Sequence, residues 1–157
     1  MDLGDILTPE QIKPDLQASN RWEAIDELIN RLVECSRIKP ENRDAIVAVV
    51  KKRESSMSTG IGFGIAIPHA AVDGLDTLVA VLGLAPAGIP FQSLDGQPAR
   101  ILVALTIPRA QKLLHIKTLA EIARLLTRAE VRERLLRCER ADEVVRALRE
   151  LDQGSPR

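Results

Sequence analysis

A chain of 157 residues carries 22 basic and 22 acidic side chains, so its formal net charge is zero and no global field draws it to nucleic acid or to an anionic membrane. One tryptophan, two phenylalanines and no tyrosine leave little material for a base-stacking platform or an aromatic carbohydrate cleft. The length suffices to bury a core without disulfides or a structural metal, and a single domain is expected over residues 1–152, with a frayed tail from Gln153 to Arg157.

The opening Met1-Asp2-Leu3-Gly4-Asp5 lacks the basic region and apolar stretch of a signal peptide, and no apolar run reaches about 18 residues. A soluble cytoplasmic protein with no membrane insertion and no nucleic-acid partner is expected. Trp22, Ile25, Leu28, Ile29, Leu32 and Val33 then recur at helical spacing. Either Ser19 or Asn20 caps that helix, and Glu23 stands three residues after Asn20 as in a capping box. A second helix opens near Pro40, carries Ile46, Val49 and Val50, and closes on Lys51-Lys52-Arg53, whose charges suit the carbonyl end of the helix dipole. Cys35 and Cys138 each follow a helical pattern and share no metal-ligand spacing, so both are expected as reduced, half-buried thiols.

The middle third changes character. A Ser- and Gly-rich loop from Ser55 to Gly64 leads into short apolar runs at 64–67, 77–84 and 100–107, with turns at Asp73-Gly74, Ala87-Gly88 and Asp95-Gly96. Two of the runs are nearly continuous in apolar residues, which fits strands covered on both faces. From Ala110 onward the pattern is helical again, with Leu114, Ile122 and Leu125 looking inward, followed by helical stretches at 131–136 and 141–151. Helices before and after a group of buried strands predict a three-layer α/β domain.

The segment from Arg53 to His69 concentrates the chemistry. Gly60, Gly62 and Gly64 alternate, which permits positive φ and leaves amides available to an anion, although the pattern is neither a Walker A loop nor a dinucleotide fingerprint. Pro68 fixes its own φ and pushes Ile67 into an extended conformation, which aims the following imidazole. His69 is read either as a surface residue after a strand or as a phosphoryl acceptor, since a neutral imidazole is nucleophilic at physiological pH. Arg53 and the hydroxyls of Ser58 and Thr59 are candidate donors to phosphoryl oxygens. Arg53 equally fits a solvated helix end, Thr59 a turn cap, and Glu54 a surface charge. His115, the other histidine, lies near the apolar face of the helix after Pro108, where it is either packed in the core or enters the pocket of His69. Two histidines without a Cys neighbour or an E-x-x-H partner give no zinc pattern, so no metal is expected.

Arg53-Glu54 followed by Ser58-Thr59-Gly60-Ile61-Gly62-x-Gly64-Ile65-Ala66-Ile67-Pro68-His69 closely resembles the phosphohistidine motif of IIA domains of the bacterial phosphoenolpyruvate-dependent sugar phosphotransferase system, fructose/mannitol class. Within that class it looks most like the stand-alone nitrogen-regulatory type. The similarity continues through Pro90-Phe91-x-Ser93-x-Asp95-Gly96-Gln97-Pro98 and His115-Ile116-x-x-Leu119-Ala120. The resemblance implies a mixed sheet flanked by helices, a phosphoryl group received on His69 from an HPr-like phosphocarrier, and no organic cofactor. By the same resemblance His115 lines the pocket, Arg53 stands near the phosphoryl group and Thr59 lies close to it. Onward transfer to a cysteine of a IIB component and regulation of a transporter or kinase are the two roles implied; a phosphorylation-independent binding module is the alternative. Gln92 and Ile116 depart from the family's usual acidic residue and leucine. The docking rim is expected around Gly60–Gly64 and Pro90-Phe91.

Overall fold

The computed structural model describes residues 3–113 and 115–153. In chain order the elements are α1 (Leu3–Ile6), β1 (Ile12–Lys13), α2 (Arg21–Glu34), α3 (Arg43–Ser56), β2 (Gly60–Gly62), β3 (Ile65–Ala66), β4 (His69–Val72), β5 (Val79–Ile89), β6 (Ala99–Pro108), α4 (Ile116–Leu126), α5 (Ala129–Leu136) and α6 (Ala141–Gln153). Three 3-10 turns, at Pro9–Gln11, Pro40–Asn42 and Arg109–Gln111, precede β1, α3 and α4. Leu114 and residues 154–157 lie outside the described residues.

β6 is the axis of the sheet. It pairs antiparallel with β5 on one side and parallel with both β3 and β4 on the other, in the order β1-β5-β6-β3-β2, which makes the sheet mixed. Successive β6 side chains point to opposite faces, as strand geometry requires. Ile101, Val103, Leu105 and Ile107 join a core built with Ile122, Leu125 and Leu126 of α4, Val131 and Leu135 of α5, and Val144 and Leu148 of α6. Leu102 and Ala104 join a second core built with Ile25, Leu28, Ile29 and Leu32 of α2 and Ile46, Val47 and Val50 of α3. A sheet with a helical layer and a separate apolar core on each face is the expected three-layer α/β/α architecture.

Most differences from the expected elements lie in the short strands. The strand expected over 64–67 stops at Ala66, because Pro68 has no N–H for the ladder, and pairing resumes at His69 as β4. The Ser/Gly stretch is not all loop: Gly60–Gly62 folds back on Ile65–Ala66 as an antiparallel hairpin. Its tip runs through Gly62, Phe63 and Gly64 at φ 95°, 58° and 76°, and two glycines in three residues make that left-handed path accessible. α3 continues through Ser56, so Arg53 sits in its last turn rather than at its end. Ala87-Gly88, expected as a turn, falls inside β5 where its register against β6 shifts. The helix expected from Ala110 begins as a 3-10 turn, with α4 proper starting at Ile116. Gln153, assigned to the tail, is the last residue of α6.

Of the two cap candidates of α2, Asn20 is the cap and Ser19 donates to the first turn. Asn20 accepts from the Glu23 amide at 2.9 Å, and Glu23 reaches back one residue further than a capping box requires, to the Ser19 amide at 3.0 Å and hydroxyl at 2.7 Å. Cys35 and Cys138 are free and half-buried.

Candidate active site

The sheet brings His69 to the end of α3. β4 starts at His69, opposite Leu105 of β6, and packs against the helix that carries Arg53. A cleft of about 460 Å³ opens there, lined by His69, Lys52, Arg53 and Ser56 from one side and by Arg109, Lys112 and His115 from the segment leading into α4. His69, Arg53 and His115, singled out separately in the sequence, thus line one cavity. Among the described residues no carboxylate lines it.

The Ile67 carbonyl, released from the ladder by the break at Pro68, lies 2.7 Å from His69 Nδ1. A carbonyl can only accept, so Nδ1 carries the proton and the lone pair of the neutral ring sits on Nε2. Burial pushes the His69 pKa below its ordinary value, and the Arg53 charge adds to this. The Ile67 carbonyl and the Glu54 carboxylate work in the opposite direction without reversing the outcome. The ring is therefore neutral and nucleophilic at physiological pH.

His115 is 6% exposed, and its Nε2 lies 3.1 Å from Gln111 Oε1. The Gln111 amide nitrogen donates to the Asp76 carbonyl at 3.2 Å, which turns Oε1 toward the imidazole and assigns the proton to Nε2. Nδ1 of His115 is buried with no hydrogen-bond partner among the described residues. Arg53 donates to the Met57 carbonyl at 3.1 Å from one terminal nitrogen, leaving its other donors for the cleft.

Four expectations are corrected. Glu54, expected as a surface charge, is 1% exposed and accepts from the Thr59 amide at 2.9 Å and from the Thr59 hydroxyl at 2.5 Å. Thr59 is accordingly buried against Glu54 and is not among the side chains lining the cleft. Of the loop amides expected to be free, those of Gly60 and Phe63 are taken, by Ser58 Oγ at 3.0 Å and Asp95 at 3.0 Å, while the Ser58 hydroxyl donates to the Phe91 carbonyl. Phe91, expected on the docking rim, is 1% exposed in the core under α2 and α3. Among the described residues the large exposed apolar side chains are Met57, Phe63, Leu94, Leu113 and Ile116, of which Phe63 lies in the expected Gly60–Gly64 part of the rim.

Lys52, Ser56, Arg109 and Lys112 were not singled out from the sequence. A signal existed, since Arg109, Lys112 and His115 are three residues apart and Lys52 and Ser56 are four apart, spacings that share a helical face. Among the described residues no cluster of His, Cys, Asp and Glu side chains is placed to hold a metal ion, and no helix is long and apolar enough to cross a membrane.

The family model for the phosphoenolpyruvate-dependent sugar phosphotransferase system, EIIA 2, matches residues 5–151. The chain is 31% identical over 153 residues to the fructose-specific EIIABC component of Bacillus subtilis, covering 98% of this chain but only 24% of that longer protein. Among solved structures, the nitrogen regulatory protein IIA-Ntr of Neisseria meningitidis superposes with a TM-score of 0.83 at 25% identity, over 93% of this chain and 98% of that one. Enzyme IIAMTL of Escherichia coli, solved in complex with phosphorylated enzyme IIBMTL, gives a TM-score of 0.76 at 26% identity, over 92% and 97%.

Proposed function

Because the chain belongs to the EIIA type-2 family of the phosphoenolpyruvate-dependent sugar phosphotransferase system, we propose that it is a histidine phosphocarrier, with Nε2 of His69 taking a phosphoryl group from the phosphohistidine of an HPr-like protein. The observation that carries this reading is the 2.7 Å contact from Nδ1 to the Ile67 carbonyl, which leaves Nε2 as the nucleophilic nitrogen of a cleft-lining ring.

In the transfer, the Nε2 lone pair attacks phosphorus in line. The donor's P–N bond breaks, and its electron pair returns to the donor imidazole. His69 keeps its Nδ1 proton, so the phosphorylated ring is formally cationic and its charge is met by the Ile67 carbonyl. Arg53, with Lys52 and Lys112 beside it, supplies the positive field and donors for the phosphoryl oxygens, which is where catalysis of phosphoryl transfer acts, while His115, its Nε2 proton held by Gln111, lines the wall of the cleft. Thr59 supports the site from behind, through Glu54, instead of touching the phosphoryl group. The reverse of this step returns the group to the donor; onward transfer is a thiolate of a IIB cysteine attacking phosphorus, with the P–Nε2 bond breaking and its electron pair returning to His69. The nitrogen-regulatory likeness makes control of a transporter or kinase by phosphorylation state the second onward role.

Incubation with phosphoenolpyruvate, enzyme I and an HPr-like protein should add ~80 Da in an acid-labile form. His69→Ala should take no label while keeping the wild-type circular dichroism spectrum. Label on histidine in that variant would sink the site assignment, and an unmodified wild-type mass under several cognate donors would favour the phosphorylation-independent binding module.

A further inference from the structure

Glu54 is a buried carboxylate that the transfer step itself does not use. Taking a carboxylate out of water costs several kcal/mol unless hydrogen bonds and an opposite charge compensate. Here both are present: the Thr59 amide and hydroxyl donate to its two oxygens, and Arg21, the first residue of α2, stands 3.5 Å from Oε2 with its side chain 15% exposed. What this arrangement holds is informative. The Thr59 carbonyl accepts from the Ile67 amide at 3.1 Å, and the Ile67 carbonyl accepts from His69 Nδ1 at 2.7 Å. An unbroken line of contacts therefore runs from Arg21 through Glu54, Thr59 and Ile67 to the acceptor imidazole. Arg53, the neighbour of Glu54, is clasped to the same stretch through the Met57 carbonyl.

Resting on the phosphocarrier reading, we propose that Glu54 is a positioning residue for phosphoryl transfer, fixing through Thr59 and Ile67 the ring orientation and tautomer of His69 and, through the shared 57–59 segment, the placement of Arg53. Thr59 and Ile67 each donate through the N–H and accept through the carbonyl, so each residue is held from both sides and the line fixes position from one end to the other. The Glu54 charge also raises the His69 pKa while Arg53 lowers it, so the line carries a field as well as an orientation. Lys52, Arg109, Lys112 and His115 are the other titratable side chains around the cleft, and none of them is altered by substitution at Glu54.

The test is Glu54→Gln, which preserves shape and one acceptor oxygen but removes the charge, studied in the whole chain beside Thr59→Val and Thr59→Ser. The His69 ring is read by nitrogen-15 NMR without any phosphodonor. Transfer is read with an HPr-like phosphocarrier recharged from phosphoenolpyruvate and enzyme I. Glu54→Gln should weaken the Nδ1–H signature and move the His69 titration to lower pH. Its kcat should fall on the order of 10- to 100-fold with KM for the carrier little changed, the pattern of a misplaced reactant. Thr59→Val should do the same, and Thr59→Ser, which keeps the hydroxyl, should restore both readouts.

A wild-type His69 spectrum and titration in Glu54→Gln would overturn the proposal, whatever happens to the rate. So would Thr59→Val and Thr59→Ser that behave alike, and that pair decides the matter if Glu54→Gln does not fold. A wild-type chain that takes no phosphoryl group would count against the carrier reading, and the NMR readouts would then decide alone whether Glu54 sets the His69 ring.

Discussion

At the scale of single residues, the site is organised by what a backbone carbonyl can and cannot do. Because the Ile67 carbonyl only accepts, it selects one tautomer of His69, and because burial holds the His69 pKa below that of a free imidazole, the nucleophilic form persists on acidification. The sign is fixed by which form reacts: the neutral ring attacks phosphorus, so the acceptance rate should stay level as pH falls through about 6.5, the ordinary histidine value. It should decline only below that. A rate profile that halves at or above that value, in single-turnover transfer, would contradict the depressed pKa. Folding stability follows the same direction. The unfolded chain binds the His69 proton more readily, so this residue's contribution weakens as pH drops through the interval below about 6.5. Arg53 has no carboxylate beside it in the cleft, and Arg53→Met, which keeps the stem, should slow acceptance on the order of 100-fold in kcat with little effect on melting.

At the scale of elements, the long amphipathic helices were legible and the short strands were not. α2 and α6 carry apolar residues at helical spacing over 14 and 13 residues, enough repeats to set both type and face. β1 and the hairpin strand β2 have two and three residues, too few to show alternation, and they exist because β5 and β3 already offer edges to pair with. The same limit hid the situation of Glu54. Its burial depends on the 57–60 segment folding back over the end of α3, a tertiary event that neighbouring residue types do not announce. Caps are local, and there the reading reached atoms. Removing the Asn20 acceptor that holds the Glu23 amide, as in Asn20→Ala, should cost about 1 kcal/mol in denaturant unfolding with an unchanged m-value.

At the scale of the whole molecule, two apolar cores are separated by one sheet. Leu28 of α2 and Leu148 of α6 are both fully buried, on opposite sides of it. Leu28→Ala and Leu148→Ala should each cost about 2–5 kcal/mol. With no shared partner across the sheet, the double variant should show the sum to within about 0.5 kcal/mol in equilibrium unfolding. A large coupling energy would mean that the sheet transmits packing strain from one layer to the other. The general arrangement was legible because strands flanked by helices have few solutions, and because β5 and β6 are apolar almost throughout, which only a sheet covered on both sides tolerates. The cleft was harder to see. It is made where β4, α3 and the approach to α4 converge, and those three segments meet only once the sheet order is known.

That sheet order also governs how the protein meets others. Its terminal strands β1 and β2 offer two and three residues, β1 pairs with β5 at Leu82 and Gly83, and β4 packs against α3. At its two ends the sheet therefore offers a visiting strand two or three residues to pair with, a short footing for the kind of attachment that zips up many bonds at once and resists parting. Contact is left to side chains such as Met57, Phe63, Leu113 and Ile116. Under the proposed phosphocarrier role, contact made through side chains suits a partner that docks, exchanges a group and departs.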